Sequence, residues 1–94
     1  MTEAQIQSGS RGVDGTRQLL ERVLLTLVSI PDEVRIQVLT VDDTTTFAVR
    51  VAPLDVSRVL GDDGRTVRAM RMILGAVGLR QKHRFILEVE ENSE

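Results

Sequence analysis

The chain contains no cysteine, tryptophan or tyrosine, and only one histidine, two phenylalanines and two prolines. Each shortage removes a class of function. Without cysteine there is no disulfide framework, no thiolate metal site and no thiol nucleophile. His83 alone cannot furnish the three or four ligands of a zinc centre, and acid–base catalysis would want a second titratable group beside it in a cleft. With Phe47 and Phe85 as the only aromatic residues, both at strand-like positions, the stacking platforms of aromatic RNA-binding sheets are missing. The longest apolar run, residues 23–30, is broken by Thr26 and Ser29 and is far too short to cross a bilayer. Residues 1–15 are polar and glycine-containing, without the apolar centre of a signal peptide. The expectation is a cytoplasmic protein with no membrane segment, no cofactor and no metal.

What is present suffices for one small domain. Hydrophobic residues make up 41% of the 94, enough for a core, and charged residues make up 28%, as in ordinary folded proteins. The net charge of −2 argues against a general polyanion binder, but the charges are segregated. Residues 1–55 carry five basic and eight acidic side chains, and residues 85–94 carry four glutamates. Between them, residues 56–84 hold seven basic side chains against only Asp62 and Asp63. Such an island is either a solvated helix face or an anion-binding surface.

Periodicity supplies the elements. Leu19, Leu20, Val23, Leu24, Leu27 and Val28 form one helical stripe that Asp14 or Thr16 can cap and that Pro31 ends. Residues 1–13 then form a flexible tail, residues 14–91 the domain and residues 92–94 a short polar end. Val34, Ile36 and Val38 alternate with polar residues, as do Phe47, Val49 and Val51, and Asp42-Asp43-Thr44 between them predicts an antiparallel hairpin. Pro53 stops the second strand, and Asp55 can cap a short helix over residues 56–60 that Gly61 terminates. After Gly64 a longer helix is predicted over residues 65–79, with Val67, Met70, Ile73, Leu74 and Val77 buried. Phe85, Leu87 and Val89 mark a last strand. The order is αββααβ, an α+β fold whose two-helix crossover should make the second and third strands parallel, with all helices on one face.

Chemistry is expected at Gly61-Asp62-Asp63-Gly64. A lone G-x-x-G usually means a turn. Here it joins two helices set between two strands, the arrangement of the KH module, whose G-x-x-G loop clamps about four nucleotides of backbone. Gly61 and Gly64 let a phosphodiester approach the main chain, and the amides near Arg65 and Thr66 at the start of the next helix point at whatever occupies the loop. Arg65, Arg68 and Arg71 recur every third residue and can reach flanking phosphates, or they can simply solubilise the helix.

The run VAPLDVSRVLGDDGRTVRAMR, residues 51–71, resembles the KhpA (YlqC) family of small bacterial single-KH proteins, where V-x-P-x-D leads into V-I-G-K-x-G-R-T-x-x-A-I-R. The resemblance extends to the element order of residues 14–91. It implies a type II KH domain with a three-stranded mixed sheet packed on one face by three helices, no catalytic activity and a cytoplasmic location. Single-stranded RNA is the implied ligand, and a homodimer or a larger Jag-type KH protein the implied partner. It also implies a site built from Arg58, Gly61, Asp62, Asp63, Gly64, Arg65, Thr66, Arg68 and Arg71. Val56, Val59 and Leu60 are candidates for an aliphatic floor under the bases, or equally for the core.

One departure falls at the centre of the site, where Asp62 replaces the lysine usual after the first glycine and is followed by Asp63. Both oppose a phosphate, and Asp63 is placed to cap the following helix through the amides a phosphate would use. A bridging divalent cation would need more oxygen ligands than the loop supplies. Two functions therefore stand side by side, a single-stranded RNA binder and a KH-fold interaction or dimerisation module with a weakened clamp.

Overall fold

Pro31 and Pro53 divide the chain where the sequence places its breaks, and the elements between them follow the expected order. The computed structural model describes residues 8–91. Helix α1 (Ser8–Leu27) leads through a 3-10 turn at Pro31–Glu33 to strands β1 (Arg35–Val41) and β2 (Thr44–Arg50). A second 3-10 turn, Pro53–Asp55, opens the short helix α2 (Val56–Leu60), and a third, Asp62–Gly64, opens α3 (Arg65–Gln81), which is followed by β3 (Arg84–Val89). Strand β2 lies in the middle, antiparallel to β1 and parallel to β3. This is the mixed three-stranded sheet expected from the order and handedness of the elements.

The core sits between one sheet face and the helices. Along β2 every second residue, Thr45, Phe47 and Val49, is buried, and Phe85 and Leu87 of β3 share that face. The rings of Phe47 and Phe85 stack with centroids 5.6 Å apart. Leu20 and Leu24 of α1, Val59 of α2, and Val67, Met70 and Leu74 of α3 close over them. Burying such a side chain is worth roughly 1.5–3 kcal/mol, so this cluster is the main source of stability.

Four local expectations are corrected. Helix α1 begins at Ser8, so Asp14 and Thr16 lie inside it and it takes in residues 8–13 of the expected tail, while residues 1–7 and 92–94 lie outside the described residues. The Thr16 hydroxyl donates to the carbonyl of Gly12 one turn back (2.8 Å) instead of capping. Its Oγ1 also accepts from Gln81 of α3 (3.5 Å), so this turn is held by tertiary contact. Ile73, expected in the buried stripe of α3, is 52% exposed, because the helix turns Val67, Met70, Leu74 and Gly78 inward. Leu19 is likewise exposed beside the buried Leu20. Strand β1, an edge strand beyond the cover of the helices, leaves Val38 41% exposed although its partner Phe47 is fully buried.

The α3–β3 connection is short. Lys82 adopts a left-handed conformation (φ 55°), and the His83 amide donates to the carbonyl of Gly78 (2.9 Å). Gly78 is buried against the main chain of His83, where a β-carbon would collide with the His83 carbonyl.

Candidate nucleic-acid interface

The interface begins with a reversal that only certain residues can make. Helix α2 stops after five residues because Gly61 takes φ 80° and donates its amide back to Ser57 (2.8 Å). A β-carbon at Gly61 would overlap the side chain of Thr66 and come within 2.6 Å of its amide nitrogen, so glycine is required there by space as well as by φ. Asp63 (φ 56°) and Gly64 (φ 72°) are also left-handed, and Gly64 closes the turn onto the Gly61 carbonyl (3.1 Å). Thr66 is half-buried beneath Gly61.

Asp63 does not cap α3, as the sequence suggests it should. The N-cap position belongs to Gly64, which has no side chain to offer, and no side-chain cap is formed. Asp62 and Asp63 are both exposed, and among the described residues neither joins an ion pair.

The arginines go to different places. Arg68 folds back along α3 and donates from Nη1 to the carbonyl of Asp63 (2.7 Å), bracing the loop from below. Arg71 reaches across to β3 and donates from Nε and Nη2 to the carbonyl of Leu87 (3.2 and 3.1 Å). That carbonyl lies on the open edge of the sheet. The amides of Arg84 and Glu90 bond to β2 (2.8 Å each), so alternation turns the main chain of Phe85, Leu87 and Val89 outward. Arg65 is exposed and, among the described residues, has no hydrogen bond or ion pair through its side chain. The guanidinium of Arg58 stands 3.4 Å from Asp55 Oδ1 while remaining half-exposed. Of the proposed floor, Val59 is fully buried with the core, leaving Val56 and Leu60 half-buried on that side.

Asp55 is the residue that sequence reading assigned to the wrong task. It makes no side-chain cap on α2. Its fully buried carboxylate instead accepts from the amide (2.9 Å) and hydroxyl (2.8 Å) of Ser29 and from the amide of Ile30 (2.9 Å), tying the end of α1 to the start of α2. Burial pushes this carboxyl up, but the hydrogen bonds from Ser29 and Ile30 and the charge of Arg58 outweigh burial and hold it below its ordinary value. The V-x-P-x-D spacing marks the residue as special, but partners 25 and 26 positions away leave no local signal.

His83 is half-buried, not on the surface. Its Nε2 lies 2.7 Å from Thr45 Oγ1, which is itself 2.7 Å from Thr40 Oγ1, and the ring tilts against Phe85 with centroids 4.9 Å apart. Among the described residues no group of three or more histidines and carboxylates could hold a metal ion, and no helix is long and apolar enough to cross a membrane.

A glycine-bounded loop between two helices, inserted between parallel strands, is the arrangement by which a KH domain is recognised. Residues 17–89 match the family described as KhpA/KhpB, KH domain. The chain belongs to that KhpA/KhpB KH-domain family. An RNA-binding protein KhpA of Clostridium acetobutylicum is 33% identical over 73 residues, covering 78% of this chain and 97% of the relative. That of Borreliella burgdorferi is 35% identical over 72 residues, 77% of this chain and 88% of the relative. That of Streptomyces coelicolor is 36% identical over 63 residues, 67% and 80% of the two chains. No solved structure matches the sequence. The KhpA/KhpB match begins inside α1 and ends at the last residue of β3, so it takes in the sheet, α2, the loop and α3.

Proposed function

We propose that this chain binds single-stranded RNA in the cytoplasm, with the sugar–phosphate backbone passing over Gly61–Gly64 and the bases lying toward Val56, Leu60 and the open edge of β3. The observation that carries this reading is the loop itself. Gly61 and Gly64 hold a reversal that leaves the start of α3 without a side-chain cap, beside Arg58, Arg65 and Arg68, in a family whose matched relatives are named as RNA-binding proteins. Arg71 then has a second role. Its guanidinium occupies the Leu87 carbonyl that an incoming base could use, so binding requires it to swing away or to share that acceptor.

Asp62 and Asp63 set the affinity. At ~5 Å in a loop of effective dielectric ~40 to 80, each repels a phosphate by roughly 1 to 2 kcal/mol before screening. Asp62→Lys with Asp63→Gln should therefore tighten binding by roughly 2 to 4 kcal/mol at low salt, and by less as salt rises. Arg65→Ala with Arg68→Ala should weaken binding and flatten its salt dependence, since fewer counterions are released. Titration with a mixed single-stranded RNA pool at low and physiological salt measures both. A folded lysine variant that binds no better than the parent overturns the clamp reading.

A second reading, self-association or pairing with a Jag-type KH protein, is favoured by the outer face of α3. Met72 is 75% exposed and Leu79 is 84% exposed, and Ile73 lies between them. Sedimentation equilibrium of the unmodified chain and of Ile73→Arg tests it. Association that the arginine abolishes supports this reading, and a chain that stays monomeric at high concentration ends it.

A further inference from the structure

The outer face of α3 has an internal symmetry in sequence. Ala69, Met72, Ile73 and Ala76 are all exposed and follow helical spacing on the side opposite Val67, Met70, Leu74 and Gly78. Their order is small, large, large, small, and both pairs share one midpoint, between Met72 and Ile73. A surface that pairs with its own copy about a two-fold axis needs this arrangement, because each residue meets its mirror position. A two-fold axis through that midpoint sets the helices antiparallel, with Ala69 of one copy against Ala76 of the other and Met72 against Ile73. The alanines permit the close approach, ~8 Å between axes, that small side chains allow.

The same register settles what the ends of the helix meet. Residues equidistant from the midpoint face each other, so Thr66 lies opposite Leu79, and Asp63 opposite Lys82. Arg65 faces Arg80, with Asp62 and Asp63 beside it. Each end of such a pair thus sets the two carboxylates and Arg65 of one copy against Arg80 and Lys82 of the other. Among the described residues, Asp62, Asp63, Arg80 and Lys82 have no ion-pair partner within the chain. A lysine in place of Asp62 would add to the positive charge at each end, and the aspartates reverse the sign.

Resting on the self-association reading, we propose that the outer face of α3 docks antiparallel on that of a second copy, in a register where the Asp62–Asp63 loop receives the partner's basic α3 C-terminus. The acidic loop is then a specificity element for a second copy of this chain.

Charge reversal tests the register. Asp62→Lys with Asp63→Lys places like charges at both ends and should weaken self-association about 10- to 100-fold at low salt, with a smaller effect at high salt. Arg80→Glu with Lys82→Glu should do the same. Mixed, the two variants restore attraction at both ends and should form a heterodimer as tight as the parent homodimer, which either variant alone does not match. Sedimentation equilibrium over about 1 to 500 µM, a span that brackets micromolar affinities, reads all four samples, and circular dichroism confirms that each variant is folded. Should either reversal unfold the chain, the isosteric Asp62→Asn with Asp63→Asn should still weaken association in the same direction. If the parent associates and Ile73→Arg abolishes this, but neither loop substitution changes it and mixing restores nothing, the register is overturned while the self-association reading stands. A parent that is monomeric throughout removes both.

Discussion

Asp55 and the pair Asp62–Asp63 are carboxylates seven and eight positions apart at opposite ends of one short helix, and the fold treats them in opposite ways. Asp55 is fully buried, accepts three hydrogen bonds from Ser29 and Ile30, and has Arg58 beside it. Asp62 and Asp63 are exposed, cap nothing and pair with no cation among the described residues. A buried charge persists only where donors replace the water it lost, and those donors then depend on it. An exposed charge costs the fold little and is free to act on a partner. The same residue type is thus a fastening at one end of α2 and a recognition element at the other.

The strongest way to break this contrast is Asp55→Ala. It would leave the amides of Ser29 and Ile30 without their acceptor at a half-buried junction, and the melting temperature should fall by about 10 °C or more. Acid should act on the same site. The folded carboxyl is held below its ordinary value of 3.8, so its contribution is complete above that value and is lost as the pH drops through the lowered folded pKa. Asp55→Asn should remove this part of the acid dependence in urea melts from pH 7 to about pH 2. Gly61→Ala comes next. Its φ of 80° and the closeness of Thr66 predict a loss of about 2 kcal/mol or more, seen as a lower denaturation midpoint with an unchanged slope. The smallest effect should come from Asp62→Ala with Asp63→Ala, within about 0.5 kcal/mol of the parent in the same melts, since no partner is lost. A large destabilisation there would erase the distinction between the two ends of α2.

Much of the architecture was readable before any coordinates. Apolar residues at intervals of three and four marked α1 and α3, alternation marked the strands, and Gly61 and Gly64 marked the reversal between helices. The crossover rule gave the parallel pairing of β2 with β3. The misreadings share a cause, which is that periodicity reports a face without saying whether anything covers it. Ile73 and Leu74 are both apolar neighbours on α3, and only the packing of the other elements turns Leu74 inward. Val38 alternates as well as Phe47 does, but β1 lies at the edge of the sheet. Within the candidate site, the glycines and the exposed Arg65 fell where expected. The destinations of Asp55, Arg68 and Arg71 did not, because sequence gives the charge of a long or buried side chain but not the main-chain group it reaches.

The tight closure between α3 and β3 fixes how the length of this chain can change over evolution. Only Lys82 and His83 connect the two elements, His83 is bonded back to Gly78, and Arg84 enters the sheet at once by donating to Asp43. One residue inserted there would carry β3 forward by a single position and turn Phe85 and Leu87 from the core to solvent, a change the fold could not survive. The Asp42–Asp43 turn is exposed on all sides and closes a hairpin, where an added residue needs only a different turn type. Insertions and deletions among descendants of this sequence should therefore collect at the hairpin and be absent from the α3–β3 connection, and a library of single-residue insertions selected for folding would display the same map.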